Sequence, residues 1–424
     1  MTQRIAADTL DLARLIRPGD HIVWGQACGE PTTLVEALIA QRDGLGGVSA
    51  FAGSSFSGLL TPAITDHVRL SSMGAIGALR SIAKAGALGI VPCHVGQIAG
   101  LIEAGIIGCD VAFVQVSPAD ADGNHSYGLI NDYVQAAVAK ARIVVAEVND
   151  QVPFTCCDAL LPGSRIDYLV EVARPPVEVK PAPIGETDLA IARHAAGYIR
   201  DGSVIQVGIG AVPDALTRLI ADRRDLGVHS GMIGDGLVDL VEAGALTNAL
   251  KPFETGVSVT GALIGTRRLY DFAHRNPAVG MRSSARTHAD AVLTAIPGLV
   301  TINSAVEVDL TGQVNAEQAG AAYMGGTGGQ VDYVRAGSRS PGGHSIIALP
   351  ATAAGGKASR IVPALTGPVT TARSEVDVIV TEYGAAELRG RTLAERARRM
   401  AAIAHPDFRE ELDRAAFDIE KRGY

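Results

Sequence analysis

At 424 residues the chain exceeds what a single hydrophobic core usually supports, so two domains of roughly 200 residues each are expected. Its 37 basic and 45 acidic residues give a net charge of −8, and no run of Lys or Arg could track a phosphate backbone, which argues against a nucleic-acid partner. Apolar residues make up 47% of the chain, and 49 glycines stand against one Trp, nine Tyr and eight Phe, a balance that suits many tight strand-to-helix turns in an α/β protein.

The first twenty residues, MTQRIAADTLDLARLIRPGD, scatter their charges and hold no apolar h-region, so they do not read as a secretory signal. Next come an apolar run, HIVW, a glycine-bearing loop, GQACGEP, and a helical pattern, TTLVEALIAQR. The stretch Ala85 to Ile102 carries no formal charge, but Pro92, His94, Gln97 and its glycines make it a buried strand and turn rather than a membrane span. VAFVQV and RIVVAEV follow as strands. From Arg174 to Glu186, RPPVEVKPAPIGE has four prolines and little periodicity, the reading of an extended interdomain connection. Beyond it, SVIQVGIG, SVTGALIG, HSIIALP and DVIVTEY alternate with helical segments such as TLAERARRMAAIA. Unbroken apolar strands alternating with helices predict mostly parallel sheets covered on both faces.

The two halves repeat a pattern. Ile16-Arg17-x-Gly19, a strand, Gly25, Pro31 and a helix are matched by Ile199-Arg200-x-Gly202, a strand, Gly208, Pro213 and a helix. Two domains of one fold are therefore expected, residues 1–175 and residues 186–424, with a site in the cleft between them. The five cysteines (Cys28, Cys93, Cys109, Cys156 and Cys157) fit neither a disulfide framework nor a zinc site, and point to a reducing, cytoplasmic compartment.

Three segments carry candidate chemistry. The loops at Gly25 and at Gly208 to Gly210 join a strand to a helix and can offer backbone N–H groups to an anion, although a plain tight turn explains them as well. Met324 to Asp332, MGGTGGQVD, packs four glycines into five positions, where main-chain N–H groups could approach a ligand that a Cβ would hold away. Of the carboxylates inside apolar runs, Glu147 and Glu382 read as satisfied by backbone N–H groups at strand ends, while Glu307, shortly before the glycine loop, is open to a chemical role. His229, His344 and His405 lack metal-ligand spacing, no metal site is expected, and there is no GxSxG elbow.

GIGAVPDAL, HSGMIGDGLVDLVEAGALTN, INSAVEVDLTGQVNAE, GGTGGQVDYVRAG, GGHSIIALPATAAGGKASRIVP and VTEYGAAELRGRTLAERA, with VQVSPADADGNHSYG and VVAEVNDQVP in the first half, resemble the acetyl-CoA hydrolase/transferase family, which includes 4-hydroxybutyrate CoA-transferases. The resemblance implies two open α/β CoA-transferase domains, coenzyme A as substrate and product with no resident cofactor, and a homodimer. In that family a glutamate attacks the thioester from a segment resembling H-[ST]-E-M-x-x-D-G. Here the segment is His229-Ser230-Gly231-Met232-Ile233-Gly234-Asp235-Gly236, so Gly231 stands where the nucleophile would be. By the same resemblance, Gly326, Thr327, Gly328 and Gly329 form the oxyanion and pantetheine loop. Lys357 and Arg360 are candidates for the CoA phosphates, or else ordinary surface charges.

With no carboxylate at Gly231, the expected chemistry is water-mediated hydrolysis of an acyl-CoA, at the thioester or at a β-keto C–C bond. Glu307 is the first candidate for the base, His229 and Asp235 the second and third. The alternatives are a CoA-transferase that uses a substitute carboxylate, moving CoA to a small carboxylate acceptor, and a non-catalytic acyl-CoA-binding protein.

Overall fold

The apolar runs become strands. In the computed structural model, which describes residues 2–424, the first sheet is built from β1 (Gln3–Arg4), β2 (His21–Trp24), β3 (Val48–Phe51), β4 (Val68–Ser72), β5 (Leu88–Ile90), β6 (Val111–Val116), β7 (Ile143–Asn149) and β8 (Tyr168–Val172). Among the described residues its order is β1-β8-β7-β6-β2-β3-β4-β5, parallel throughout. Every residue of β6 is buried, which is why that strand reads as continuous apolar sequence rather than as an alternation. Trp24, Leu34, Leu38 and Phe113 fill the core beneath the helix α1 (Thr32–Gln41).

The second sheet comprises β9 (Val204–Val207), β10 (Gly227–Val228), β11 (Leu299–Asn303), β12 (His344–Ala348), β13 (Val378–Thr381) and β14 (Gly384–Glu387), in the order β10-β9-β11-β12-β13-β14. All its pairs are parallel except the β13–β14 hairpin. Its helices include α2 (Ala211–Leu219), α3 (Gly236–Glu242), α4 (Gln330–Arg339), α5 (Leu393–Ala402) and α6 (Pro406–Arg422). Val308, Ile347, Ile379, Met400 and Leu412 belong to its main core. Thr392 and Glu395 close a reciprocal capping box on α5, with the Glu395 carboxylate accepting from the Thr392 amide at 2.8 Å.

Both halves carry the same strand–loop–helix unit, β2 to α1 and β9 to α2. Pro31 immediately precedes its helix, whereas Pro213 lies in the first turn of α2, where a missing N–H is harmless. The division into units is discontinuous. One unit holds the residues up to Lys180 together with Val259–Thr287, and the other holds Pro181–Ser258 and His288–Tyr424. Thus a segment inside the expected 186–424 stretch folds with the first unit. The proline-rich segment after Arg174 has no regular structure until Glu186, and it is tied within the first unit by the Tyr270 hydroxyl donating to the Val177 carbonyl at 2.7 Å and the Val179 amide donating to the Gly265 carbonyl at 2.9 Å.

Two readings need correction. Ala85 to Ile102 is not only strand and turn: after β5 it enters a helix, Val95–Glu103, whose buried face is Ile98, Ala99 and Ile102. SVTGALIG is strand only over Ser258–Thr260, and Thr260 then turns the chain by accepting from the Ala262 amide. Among the described residues no helix is long and apolar enough to cross a membrane.

Candidate active site

In the second unit, the chain leaves β10 through His229 and Ser230, both buried, and reaches Gly231 before α3 begins. A Cβ built on Gly231 would lie 2.6 Å from Cε1 and 2.7 Å from Nε2 of His288, and 3.3 Å from the Tyr333 hydroxyl oxygen. The glycine loop arrives from another direction and runs straight into α4, with Gly329 at the helix cap and Gly328 in the left-handed region at φ 54°. A Cβ on Gly329 would meet the same imidazole, 2.6 Å from Nε2 and 2.9 Å from Cδ2. Contacts under 3 Å leave no room for an ordinary side chain, so glycine at both positions is what lets His288 stand between the two segments. The Tyr333 ring, held in α4, lies 4.9 Å from the imidazole centroid to centroid.

His288 is buried, and desolvation pushes its pKa down to about 3, so the ring is neutral at ordinary pH. A neutral imidazole has one nitrogen that donates and one that accepts. No local pattern in the sequence marks this histidine, which stands in the segment RTHAD; only the fold brings it to Gly231 and Gly329.

The other candidates fall into distinct neighbourhoods. Glu307 opens a short strand, Glu307–Asp309, and its carboxylate accepts from the Asn315 side chain at 3.0 Å. Asn315 in turn accepts from the amides of Glu317 and Gln318, and the Glu317 carbonyl receives the amides of Met324 and Gly325 at 2.9 Å each. Glu307 therefore supports, through Asn315, the turn on which the glycine loop begins. His229 is fully buried with its ring edge-on to Phe253 at 6.2 Å. Asp235 is half-buried at the N-cap of α3, and its carbonyl accepts from the Val238 amide at 2.9 Å.

Gly208 and Gly210 have open space where a Cβ would be, and Gly210, at φ 122° and ψ −177°, adopts a backbone that essentially only glycine tolerates. Gly208, Pro213, Thr217, Ser230 and Gly234 border a small pocket of about 30 Å³ that opens to solvent. In the first unit, Gly25 serves packing: a Cβ there would meet the Gly29 carbonyl oxygen at 2.8 Å. Lys357 is exposed on the hairpin between Thr352–Ala353 and Ala358–Ser359. Arg360 is half-buried with its Nε unpartnered, and burial pulls its pKa down.

Glu382 and one oxygen of Glu147 are satisfied by backbone amides, whereas Glu147 Oε1 is buried without a hydrogen-bond partner. Glu147 accepts from the Thr33 and Leu34 amides in the first turn of α1, at 2.8 and 3.3 Å, and Glu382 accepts from the Ala351 amide at 2.8 Å. Side chains that sequence reading did not single out include Gln206 and Asn303, whose amides exchange hydrogen bonds between β9 and β11 at 3.1 and 3.5 Å.

In the second unit two glycine segments thus meet at one buried imidazole within an α/β fold, and comparison with known proteins supplies the class of enzyme. Residues 3–181 match the acetyl-CoA hydrolase/transferase N-terminal domain and residues 265–416 the C-terminal domain. The chain is 40% identical over 396 residues to a 4-hydroxybutyrate coenzyme A transferase of Clostridium kluyveri, covering 92% of each protein. The crystal structure of RipA from Yersinia pestis superposes with a TM-score of 0.93 at 32% identity, covering 99% of this chain and 98% of that one. A 4-hydroxybutyrate CoA-transferase from Porphyromonas gingivalis gives 0.83 at 34% identity, again covering 99% and 98%. The chain belongs to the acetyl-CoA hydrolase/transferase family, and it is an enzyme that acts as an acyl-CoA hydrolase or a CoA-transferase.

Proposed function

We propose that this enzyme hydrolyses an acyl-CoA with water, rather than a protein carboxylate, as the nucleophile. One observation carries the reading. Gly231, which the sequence resemblance sets at the family's glutamate position, offers no carboxylate, and the space its side chain would need is filled by the His288 imidazole.

The remaining features supply what hydrolysis requires. The amides of the loop from Gly326 to Gly329, at the N-terminal end of α4, are donors for the oxyanion that forms when water adds to the carbonyl. Each such donor is typically worth about 3 kcal/mol in the transition state. As the tetrahedral intermediate collapses, the C–S bond breaks, CoA leaves as a thiolate, and the proton lost by water passes to a base. Asp235 follows Gly231 by four residues, half-buried at the N-cap of α3, whereas Glu307 reaches the loop only through Asn315 and His229 is enclosed beside Phe253. Asp235 is therefore the base we assign first. A β-keto acyl-CoA presents a second carbonyl to the same water, so the substrate class includes C–C cleavage as well as thioester hydrolysis. Lys357 and Arg360 supply positive charge for the CoA phosphates.

Transfer to a carboxylate acceptor is the second reading, favoured by the 40% identical relative, which is named a transferase. A thiol-release assay over a panel of acyl-CoAs, with and without acetate, separates the two. Hydrolysis predicts CoA release without acetate. Release that depends on acetate would sink the proposal in favour of transfer.

A further inference from the structure

We infer that His288 and Gly231 form one coupled steric unit, and that His288 is the residue that commits this site to water by excluding a nucleophilic side chain at position 231. The inference rests on the hydrolytic reading above and adds the residue that enforces it.

The argument is geometric. A Cβ on Gly231 would overlap the far end of the His288 ring at 2.6 and 2.7 Å. Such a clash is cheap when the side chain can swing aside. Here it cannot. On another side the ring already abuts Gly329, where a Cβ would meet Nε2 at 2.6 Å and Cδ2 at 2.9 Å, and the Tyr333 ring packs on it at 4.9 Å between centroids. Tyr333 is itself only 2% exposed in α4, so it has no solvent to retreat into. The imidazole is thus bounded by two glycine segments and a tyrosine, and any residue larger than glycine at 231 requires the ring to shift away from that side. Restoring a carboxylate alone would leave that carboxylate displaced from the carbonyl it should attack.

The covalent route that becomes open once the ring is gone has a definite chemistry. The introduced carboxylate attacks the thioester carbonyl and the C–S bond breaks, giving an acyl-glutamyl anhydride and CoA thiolate. The thiolate then attacks the glutamyl carbonyl, the anhydride C–O bond breaks, and the acyl group departs as a carboxylate, leaving a glutamyl-CoA thioester. Hydroxylamine or borohydride traps that thioester on the protein.

The test compares full-length wild type, Gly231→Glu, His288→Ala and the double variant Gly231→Glu/His288→Ala. After exposure to acyl-CoA, trapped adduct is measured by intact-protein mass spectrometry, and acetate-dependent CoA exchange is measured alongside. The double variant is expected to exceed Gly231→Glu by at least about tenfold in both, a difference of one order in rate. Equal labelling of Gly231→Glu and the double variant would overturn the inference, as would a folded double variant that binds CoA and takes no label.

Should the glutamate variants fail to fold, a smaller cycle decides. Gly231→Ala is expected to lower Tm by about 3 to 10 °C through overpacking, and much less in the His288→Ala background. Additive losses across that cycle refute the coupling. This thermal cycle needs no substrate. If wild-type CoA release proves acetate-dependent, the hydrolytic reading fails while the steric unit is still measured independently.

Discussion

Both units enclose hydrogen-bonded carboxylates, among them Asp309 and Glu317 in the second, but they differ in one use of buried polarity. In the first, carboxylates are enclosed and answered locally: the Ser55 hydroxyl donates to both oxygens of Glu30 at 3.2 and 2.9 Å, the Gln26 amide donates to Asp132, and Glu147 caps α1. In the second, a neutral imidazole is held between two segments stripped of side chains, Gly231 and Gly329, beside a loop of backbone donors. The first arrangement is a set of private partnerships that hold a fold. The second sets a glycine loop, at the N-terminal end of α4, directly against the imidazole.

Gly329→Ala should break that contrast most sharply. The added methyl meets His288 and displaces the loop that carries the oxyanion donors, so kcat in the thiol-release assay is expected to fall about 100-fold. A variant of unchanged kcat would mean that the loop amides do not face the reacting carbonyl.

The pH dependence of stability should distinguish the first unit's buried carboxylates from His288 by sign. Burial raises Glu30 from 4.5 to about 7, Glu147 likewise from 4.5 to about 7, and Asp132 from 3.8 to about 6. A carboxylate whose folded pKa is raised binds its proton more tightly in the native state. Its contribution is complete below the unfolded pKa and is lost as pH rises through about 6 to 7. His288 runs the other way: its pKa falls from 6.5 to about 3, so its contribution is complete above 6.5 and lost as pH falls towards 3. Glu30→Gln should therefore raise stability at pH 8 relative to pH 5, by on the order of 2 kcal/mol in denaturant titrations. An unchanged pH dependence would show Glu30 ionised and well solvated in the native protein.

Much of this organisation is legible in the sequence, and the exceptions share a cause. β6 and β7 announce themselves because parallel strands buried on both faces are continuous apolar runs, and α5 because Thr392 and Glu395 cap it. The glycine loop and the glycine at 231 are likewise visible as residues. What cannot be read is any feature made only by tertiary approach. The return of Val259–Thr287 to the first unit has no compositional signature, and SVTGALIG keeps strand chemistry while bending at Thr260. His288 is an ordinary histidine until the fold sets it against Gly231, and Glu307 becomes a supporting residue only through its bond to Asn315.

That supporting role gives a prediction of intermediate size. Glu307→Gln keeps an acceptor for the Asn315 side chain, so activity should fall by no more than about tenfold, whereas loss of a general base removes 10²-fold or more. Asp235→Asn is expected to show the larger loss. Reversal of that order would restore Glu307 as the base and make its bond to Asn315 a means of orienting it.

The smallest effect is expected at the surface. Lys357 is exposed on its hairpin, so its attraction to a CoA phosphate is screened by salt. Lys357→Ala should raise KM for acyl-CoA about two- to fivefold at low ionic strength, leave kcat unchanged, and lose its effect as salt approaches 0.5 M. Arg360 differs, because its half-buried guanidinium has an unpartnered Nε and a pKa already pulled down by burial. A phosphate arriving there would relieve an existing desolvation penalty rather than add a screened contact, so the KM effect of Arg360→Ala should persist at high salt. Equal salt dependence for the two variants would place both side chains in solvent and assign CoA phosphate binding to other residues.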